Sequence, residues 1–541
     1  LGISCGYHDS AAALIKNGEV VGAVEEERFT GIKHDASYPT NTINWLLENE
    51  KINSNDIDVV AFYEDPSLKL DRIKSTTKSP GLFKKVTGQT ILNRNKQQYK
   101  TIEKQIKKQF PSAKNYYSQH HLSHLAYSYY TSPFDKSIIV SVDGVGEWET
   151  TVIAYGEKNR ITKLQVIPFP HSLGMFYSAF TAFLGFKPNE GEYKVMGLAP
   201  YGDPFIFLKK FDKIIKPTAV GGYEINMDYF VYDWSEDSMF NEKLGELLGI
   251  SNRLPEEELT ETYKNLAATV QFIYEKYFFN LLNQAMILRP ANSVCLSGGC
   301  AYNGTANGKI TEKTGFTNVW IPPAPSDSGS AIGAALMYWY TELDNKNRVE
   351  NTNPYLGPFY SNDIVLDVLK KYENEIWYEY KNHSEIIPII SREITDGNVI
   401  GWFEGRMEFG SRALGNRSIL ANPRDPQMKS RVNKVIKKRE GFRPFAPMVK
   451  AEDRLKYFDY KLLVPYMNQV VKVKEEHRSN LPSITHIDGS SRIQTVTYRQ
   501  HQRMYKLLDN LLVDNGYPIL LNTSFNLKDQ TMVLDPESAV K

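Results

Sequence analysis

The sequence predicts an α/β protein in which a duplicated lobe is followed by a second α/β domain. Three observations carry this prediction. The first stretch, LGISCGYHDSAAALIKNGEVVGAVEEE, indicates a strand, a turn and then a hairpin, and SIIVSVDGVGEWETTVIAYGEKNRITKLQVI repeats that order from residue 137. A further apolar run, NSVCLSGG, ends at a diglycine and continues into a segment typical of a helix start. The chain is therefore expected to use one supersecondary unit twice.

The turns of these units indicate the type of lobe. Asn-Gly at residues 17–18 is the favoured pair for a type I′ hairpin turn, and an Asp143-Gly144 turn follows the first strand of the repeat. The Gly298-Gly299 pair allows backbone N–H groups to approach a phosphate at a helix N-terminus, although many diglycines simply end a strand. Two hairpin units with one strand-diglycine-helix unit form the layout of an actin-like, sugar-kinase type of nucleotide-binding fold.

Length and a change of composition predict the domains. A chain of 541 residues is too long for one hydrophobic core. The polar, turn-rich stretch LDNKNRVENTNPYLGPFYSND places a linker at residues 346–360, between domains at 1–345 and 361–541. The Lys-rich residues 66–110 are interpreted as a solvated helical insertion, in preference to an acceptor-binding or nucleic-acid surface.

Composition excludes several classes of protein. Lys plus Arg (64) nearly cancel Asp plus Glu (63), so no global field attracts nucleic acid or an anionic membrane. The three cysteines are too few for a disulfide framework or a four-cysteine zinc module and favour a cytoplasmic protein. An apolar run of about 18 residues is absent, and Asp9 comes too early for a signal peptide.

A group of histidines predicts a metal site. His120 and His124 lie four residues apart in SQHHLSHLAYSYY, so on a helix their imidazoles share one face, whereas His121 points elsewhere. The alternative is a pair of partly buried histidines bound to backbone or carboxylate groups. Asp143 at a strand end and Asp327 in PPAPSDSGSAIGAAL occupy places from which this type of fold points side chains into its cleft. Two imidazoles and two carboxylates suit Fe(II), Mn(II) or Zn(II) and are poor ligands for copper.

The second domain carries a different chemistry. Its basic residues are Arg406, Arg412, Arg417, Arg424, Arg431, Lys437, Lys438, Arg439, Arg443 and, later, Arg492. Part of this run fits a solvated helix face, but Arg443 lies between Phe442 and Pro444, where a flexible arginine is less expected. Ser524 and Asn526 follow the PILL strand and can donate hydrogen bonds. Without interleaved aromatics to stack on bases, this set favours a small phosphorylated substrate over nucleic acid.

Nine ordered motifs connect these observations: GYHDSAAAL, VEEERFTGIKHD, HHLSH, GEYKVMGLAPYG, SGGCAYN, FGSRALGNRSILANPR, KKREGFRPFAPMV, THIDGSSRIQTV and LLNTSFN. Together they resemble the NodU/CmcH family of O-carbamoyltransferases over nearly the whole chain. The resemblance implies an N-terminal lobe like the metal-dependent enzyme of tRNA threonylcarbamoylation and a C-terminal YrdC-like domain. It also implies that carbamoyl phosphate and ATP yield carbamoyl-adenylate, whose carbamoyl group passes to a hydroxyl of a small-molecule or sugar acceptor.

The resemblance assigns roles by position. It implies four iron ligands, with Mn or Zn as alternatives: His120, His124, Asp143 and Asp327. It implies a carbamoyl-phosphate pocket of Lys437, Arg443, Arg492, Ser524 and Asn526. It places His8 and Lys33 in the transfer site, with His8 as the candidate general base. It implies that ATP, with Mg, binds at a turn and helix that include Gly144, Gly298, Gly299, Asn303 and Asn307.

Other functions remain open at this stage. A tRNA threonylcarbamoylation enzyme requires a basic face that a net charge of +1 does not suggest. The related hydrogenase-maturation enzyme requires cysteine-rich zinc modules, which three cysteines exclude. A catalytically silent nucleotide-binding scaffold would not need the metal, phosphate and transfer residues together. The resemblance allows a homodimer, and neither nucleic acid nor membrane is expected as a partner.

Overall fold

The computed structural model describes residues 1–76, 82–441 and 443–541, with the side chains of residues 82–85 excepted. Residues 77–81 of the Lys-rich insertion, and Phe442 beside the predicted anion pocket, lie outside the described residues. The chain divides into two compact units, of which the first comprises residues 1–21 and 36–352. The second comprises residues 22–35 and 353–541. The division falls inside the predicted linker, and the predicted domain limits themselves stay a prediction.

Strands of the described residues follow one another along the chain as β1 (Gly2–Ser4), β2 (Ala11–Lys16), β3 (Glu19–Glu25), β4 (Val59–Phe62), β5 (Lys114–Tyr117), β6 (Lys136–Val142), β7 (Glu149–Glu157), β8 (Arg160–Pro168), β9 (Ile215–Pro217), β10 (Tyr223–Ile225), β11 (Ser293–Ser297), β12 (Asn318–Trp320), β13 (Ile400–Phe403), β14 (Arg417–Ala421), β15 (Ala446–Lys450), β16 (Gln469–Lys472), β17 (Ser490–Val496) and β18 (Ile519–Ser524). Each of the two units builds its own sheets from these strands.

The α-helices of the same residues are α1 (Glu27–Thr30), α2 (Thr40–Glu50), α3 (Pro66–Thr76), α4 (Leu82–Gln109), α5 (His120–Tyr130), α6 (Leu173–Phe183), α7 (Glu192–Leu198), α8 (Leu208–Phe211), α9 (Glu242–Leu248), α10 (Glu261–Leu288), α11 (Gly304–Asn307), α12 (Ile310–Lys313), α13 (Asp327–Met337), α14 (Asn362–Lys371), α15 (His383–Thr395), α16 (Met428–Arg431), α17 (Arg454–Tyr457), α18 (Glu475–Arg478), α19 (Gln502–Asn515) and α20 (Pro536–Val540). None of the described helices combines the length and the apolar character that crossing a bilayer requires.

The first unit contains the same five-stranded sheet twice. One sheet has the order β3-β2-β1-β4-β5, and the other has the matching order β8-β7-β6-β11-β12. In each sheet the first strand pairs antiparallel with the next one and parallel with a later one, as β1 does with β2 and β4 and β6 does with β7 and β11. The predicted duplicated, actin-like α/β lobe is confirmed by this repeated strand order.

Local sequence explains the hairpin of the first sheet. Asn17 and Gly18 have φ values of 52° and 85°, which are the left-handed values that a type I′ turn requires. The three alanines of β2, Ala11, Ala12 and Ala13, are all fully buried, and the strand packs against α2 and α13. The predicted hairpin is therefore confirmed in detail.

Two apolar cores support the sheets of this unit. One core includes Ile3 and Phe62 of the first sheet and Ala334 of α13. The other joins Val140 and Leu296 of the second sheet to α6 and α10. The described parts of the Lys-rich insertion form α3 and α4, as predicted.

The second unit has one mixed sheet with the order β13-β14-β18-β15-β17-β16, in which β15 and β17 are parallel. Both faces are covered, because alternate residues of one strand enter different cores. Met448 packs with α15 and α19, whereas its neighbour Val449 packs with Ile493 and Leu521 on the other face. The sequence prediction of a second α/β domain is confirmed.

Candidate active site

The N-termini of two helices meet in the first unit. Helix α5 begins at His120 and α13 begins at Asp327. The two helices pack so closely that only glycine fits at position 333 of α13. A Cβ added at Gly333 would lie 1.9 Å from the carbonyl oxygen of Ser123 in α5. Asp143 follows the end of β6 directly. The fold therefore brings residues from three distant parts of the chain to one point.

The four predicted metal ligands lie together at this point. Nε2 of His120 is 3.0 Å from Oδ2 of Asp143 and 3.1 Å from Nε2 of His124. Nε2 of His124 is 3.4 Å from Oδ1 of Asp327. One donor atom of each residue lies within 4.8 Å of the other three, and all four residues are buried. The structure therefore brings the four residues together, and their role as metal ligands stays a prediction.

Neighbouring groups orient the imidazoles. Oγ of Ser330 lies 3.0 Å from Nδ1 of His124, and accepting its proton leaves the electron pair of Nε2 directed at the cluster. The Oε1 atom of Glu147 accepts a hydrogen bond from the backbone N–H of His120 at 2.8 Å. His121 points away, as predicted, toward Ser141 Oγ and the carbonyl of Glu149.

The histidines and aspartates of the cluster shift one another's pKa. Burial lowers the pKa of His124, but its hydrogen bonds to Asp143 and Asp327 outweigh burial and raise the pKa to about 9. Burial raises the pKa of Asp143, but hydrogen bonds from His120 and His124 take it well below its usual range. The two carboxylates are therefore anionic and the imidazoles face them as compensating cations in the ion-free protein.

These four residues fit a divalent cation. Two nitrogen and two carboxylate-oxygen donors form the mixed set that Fe(II), Mn(II) and Zn(II) accept, at ligand distances of about 2.0–2.2 Å. A cation would replace the protons that now compensate the two carboxylates. In the described part of the chain, Nδ1 of His120 is buried without a hydrogen-bond partner. The donor set does not by itself distinguish among the three metals.

His8, the predicted base, lies beside the cluster. Its Nδ1 is 2.9 Å from Oδ2 of Asp9, and its Nε2 is 3.7 Å from Oδ2 of Asp327. Burial lowers its pKa, but the negative charge of Asp327 and the contact with Asp9 raise it to about 9. Lys33, predicted for the same site, is exposed and belongs to the second unit.

The diglycine turn contacts the same cluster. Gly298 has φ of 84°, and an added Cβ would lie 2.3 Å from the carbonyl oxygen of Val142. The backbone N–H of Gly299 donates to Oδ1 of Asp143 at 2.7 Å. Gly144 lies next to Asp143 and accepts a hydrogen bond from Ser172 Oγ at 2.6 Å. The turn is therefore adjacent to the metal-ligand candidates, as an actin-like fold predicts.

The two asparagines of this segment make contacts within the fold. Oδ1 of Asn303 accepts the N–H of Ala306 and caps α11, while its amide pairs with Gln271. The fully buried Asn307 donates to the carbonyl oxygen of Ala301 at 2.7 Å. Both side chains hold the turn in shape, and a direct contact with nucleotide stays a prediction.

A second polar site lies wholly within the second unit. Nζ of the buried Lys437 is 2.7 Å from Oδ1 of Asn526 and 2.9 Å from its carbonyl oxygen. The same Nζ contacts the carbonyl oxygen of Ser524, and Ser524 Oγ is 3.3 Å away. Lys437, Ser524 and Asn526 therefore lie together, and their role in binding carbamoyl phosphate stays a prediction.

Cations surround this lysine. Burial lowers the pKa of Lys437 to about 6, assisted by the positive charges of Arg439, Arg443 and Lys33. Burial also takes the pKa of Arg492 well below its usual range, and its neighbours Arg412, Arg439 and Arg443 act in the same direction. Mutual repulsion of buried cations is the physical signature of an anion site. We call this group, Lys437 with Arg412, Arg439, Arg443 and Arg492, the cationic pocket.

Sequence reasoning did not identify several of these residues as site residues. Arg412 and Arg439 were counted only within a basic run, and the resemblance assigned Lys33 to the other site. Glu147 and Ser330 were missed because they act through the histidines. The spacing of Ser330 three residues after Asp327, on the helix that carries it, is the one signal that could have indicated its role.

Comparisons with known proteins agree with both sites. The family model described as carbamoyltransferase N-terminus matches residues 1–336, and the one described as carbamoyltransferase C-terminus matches residues 391–541. Together the two matches contain every residue of the cluster and of the cationic pocket.

Several relatives are similar over most of their length. An uncharacterized protein of Synechocystis sp. is 40% identical over 100% of this chain and 93% of its own length. Nodulation protein NolNO of Sinorhizobium fredii is 34% identical over 98% of this chain and 76% of its own length. The 3'-hydroxymethylcephem-O-carbamoyltransferase of Amycolatopsis lactamdurans is 29% identical over 77% of this chain and 75% of its own length.

Proposed function

The chain belongs to the carbamoyltransferase family, and from that premise we propose that it is an ATP-dependent O-carbamoyltransferase that works through carbamoyl-adenylate. Its donor substrates are carbamoyl phosphate and ATP with Mg, and its acceptor is a hydroxyl of a small molecule or sugar. The enzyme class, a carbamoyltransferase, follows from the family match. The observation that supports the finer proposal is the convergence of His120, His124, Asp143 and Asp327 beside the diglycine turn.

The cationic pocket is proposed to receive carbamoyl phosphate. A dianionic phosphate would relieve the repulsion between Lys437 and the arginines, and guanidinium groups bind its oxygens in pairs. Ser524 Oγ and the Asn526 amide lie beside Lys437 and can position the carbamoyl end. Water then attacks carbamoyl phosphate, which gives carbamate and inorganic phosphate.

The next step is activation of carbamate. An oxygen of carbamate attacks the α-phosphorus of ATP, a new C–O–P linkage forms, and pyrophosphate leaves. The diglycine turn leaves room for phosphate oxygens because Gly298 and Gly299 carry no side chain, while the N–H groups of the two glycines are bonded to the carbonyl oxygen of Pro325 and to Asp143. Forming carbamate inside the protein limits its loss to bulk water.

Transfer to the acceptor needs a base and an electrophile. A divalent ion held by the four-residue cluster would supply Lewis acidity and bind phosphate or carbonyl oxygens. A bound divalent ion would compensate the charge of Asp327 that raises the pKa of His8, and the neutral imidazole would then take the proton of the acceptor hydroxyl at Nε2, since its Nδ1 faces Asp9. The acceptor oxygen forms a bond to the carbamoyl carbon, and AMP leaves with the electrons of the broken C–O bond.

Relatives suggest the chemical kind of acceptor. One is named for 3'-hydroxymethylcephem, which presents a primary hydroxyl, and another is a nodulation protein. A hydroxyl is a weak nucleophile at neutral pH, so a base such as His8 contributes roughly 10²–10⁴-fold to such a reaction.

Pyrophosphate release tests the proposal. The full chain loaded with Fe(II) should release pyrophosphate from ATP only when carbamoyl phosphate is present, and added tRNA should not change the rate. Mass spectrometry of candidate hydroxyl compounds should then detect an added carbamoyl group. If no pyrophosphate is released in response to carbamoyl phosphate, the protein is a nucleotide-binding scaffold. If release of pyrophosphate requires tRNA, the reaction is of the threonylcarbamoylation type.

A further inference from the structure

An arginine of the Lys-rich insertion is buried beside the proposed transfer site. Arg72 lies on the inner face of α3 and only 9% of it is exposed. Its Cζ is 4.8 Å from the ring centre of Phe169. Its Nε has no hydrogen-bond partner in the described part of the chain. A guanidinium with five donors is therefore held largely away from water without an acceptor for Nε.

The acidic residues nearest to Arg72 are already engaged. Both carboxylate oxygens of Glu64 contact Nζ of Lys69, at 3.1 and 2.9 Å, and one also accepts from the hydroxyl of Tyr99 at 2.5 Å. Oε1 of Glu147 accepts two backbone N–H groups, those of Asp65 and His120, each at 2.8 Å. The negative charges of Glu64 and Glu147 act on Arg72 but form no ion pair with it within 4 Å.

Arg72 shares its surroundings with the transfer site. Glu147 joins the two, because it bonds to the backbone of His120, a metal-ligand candidate. Tyr7, half-exposed and with its ring centre 4.5 Å from that of His8, is within reach of the charges of both: the protein around its phenol raises the pKa, the charges of Asp327 and Asp143 add to this, and Arg72 acts in the opposite direction. The arginine and the predicted base therefore border one part of the unit.

We propose that Arg72 binds an oxyanion of the acceptor and that the acceptor is a hydroxyl compound carrying a carboxylate, phosphate or sulfate group. This inference rests on the proposed function, since it names the class of acceptor for the transfer reaction. The guanidinium fork matches two oxygens of such a group, and burial strengthens the pairing. It also gives α3 a role in the site, where the composition of the insertion suggested a solvated helix.

The acceptor is favoured over the nucleotide as the source of this oxyanion. The residues around Arg72 come from α3, from α4 and from the loops after β4 and β8, as Glu64, Tyr99 and Phe169 show. The diglycine turn has a different set of neighbours, which includes Val142 and Pro325. A nucleotide phosphate at that turn would meet those neighbours instead of Arg72.

Thermal unfolding in the presence of anions tests the assignment without turnover. The full chain with Lys437→Ala and Arg443→Ala, which removes the anion site of the second unit, is titrated with sulfate, glucuronate or uncharged glucose. We expect sulfate and glucuronate, but not glucose, to raise the Tm, and Arg72→Met to abolish the rise. Arg94→Met is the matched control, because Arg94 lies on α4 of the same insertion in an exposed pair with Glu236.

Two outcomes of the titration would contradict an anion site at Arg72. No anion-dependent rise, or an equal rise in Arg72→Met, overturns the proposal and leaves Arg72 as a packing partner of Phe169. If Arg72→Met does not fold, Arg72→Lys replaces it, and the loss of the paired geometry should require about tenfold more glucuronate for the same rise. An unchanged requirement in that variant also overturns the proposal.

A second arm separates acceptor from donor. The ratio of the Kd of adenosine to the Kd of AMP reports what the nucleotide phosphate contributes to binding. We expect Arg72→Met to leave this ratio within twofold of that of the parent chain. A fall of the ratio toward one would show that Arg72 binds the phosphate of the adenylate instead of the acceptor. Because both arms measure equilibrium binding, their failure is distinguishable from an absence of carbamoyl-phosphate-dependent pyrophosphate release.

Discussion

The four-residue cluster of the first unit and the cationic pocket of the second differ in how their charges are balanced. In the cluster, the carboxylates of Asp143 and Asp327 face two imidazoles, and proton sharing holds the site together without an ion. In the pocket, the charges that act most on Lys437 are all positive. The carboxylates of the first site favour a bound cation, whereas the positive charges of the second favour a bound anion.

The difference in charge suits the two sites to different half-reactions. A preformed set of donors fixes the position of a cation and so determines where phosphate and carbonyl oxygens are held. A pocket of repelling cations gains the most from a dianion such as carbamoyl phosphate and less from carbamate, which carries one charge. Release of the product from such a pocket is therefore easier than release of the substrate.

Removing one ligand should have the largest effect. His120→Ala takes an imidazole from the cluster and leaves the carboxylates without a compensating cation, so bound metal should fall from near one per chain to background, and transfer with it. Metal analysis of the purified protein measures this. His8→Ala is the control, since it should retain the metal and lose only transfer; loss of metal in that variant would contradict the separation of base from ligands.

Changes in the cationic pocket should abolish one half-reaction. Lys437→Ala or Arg443→Ala should stop the breakdown of carbamoyl phosphate but leave transfer from supplied carbamoyl-adenylate, because the first unit is unchanged. Phosphate release and product formation are measured separately. Lys434→Ala, an exposed lysine of the same segment, should retain both. A folded pocket variant that loses both activities would defeat the proposed assignment.

The hydrogen bond behind the cluster should have an intermediate effect. Ser330→Ala removes the acceptor at Nδ1 of His124, so the imidazole is less well oriented and a poorer ligand. We expect metal affinity to fall roughly 10–100-fold with the fold intact. Competition with a metal chelator measures the affinity. Ser328→Ala, at a buried serine of the same helix, should leave it unchanged, and equal losses in both variants would point to general destabilisation.

The charge state of the pocket should have a smaller, measurable effect. In the free protein the pKa of Lys437 lies at about 6, and a bound phosphate favours the ammonium, so binding near pH 8 should take up close to one proton and less as pH falls toward 6. Calorimetry in buffers of different ionisation enthalpy measures proton uptake, and Lys437→Met should remove it.

The lowered pKa of Lys437 also makes the free energy of unfolding depend on pH. The lysine of the unfolded chain keeps its ordinary pKa of 10.5, so between about pH 6 and 10.5 the unfolded chain binds more protons than the folded one. The cost of burying Lys437 is therefore greatest at low pH, and its contribution to stability improves as pH rises through this range. Lys437→Met should flatten that part of the pH dependence of unfolding; an unchanged slope would show that Lys437 is charged in the free protein.

Much of the site follows from local patterns. The i, i+4 spacing of His120 and His124 on α5 is a property of any helix, and the type I′ turn at residues 17–18 follows from Asn-Gly alone. Family motifs supplied the link to Asp143 and Asp327, whose positions next to a strand end and a helix start are also local features. These predictions succeed because they depend on few neighbouring residues.

Other features depend on contacts between distant segments. Residues 22–35 begin inside β3, the second strand of the first hairpin, yet they belong to the second unit, where Arg28 donates to the carbonyl oxygen of Gly410 and Glu25 accepts the N–H of the same residue. The charge of Lys33 therefore acts on Lys437, although Lys33 follows shortly after the hairpin in the sequence. Arg72 shows the same limit, because composition described a solvated helix and could not indicate which residue faces inward.

The sequence by itself determined the repeated hairpin unit, the pair of histidines on one helix face and the kinds of ligand that two imidazoles and two carboxylates accept, since these depend on backbone preferences and side-chain chemistry within a few residues. Only the tertiary structure decided which residues meet. Gly333 lets α13 approach α5 until Asp327 reaches His124, and partly buried arginines gather around Lys437. Such meetings depend on the packing of segments far apart in the chain, for which no local pattern provides a signal.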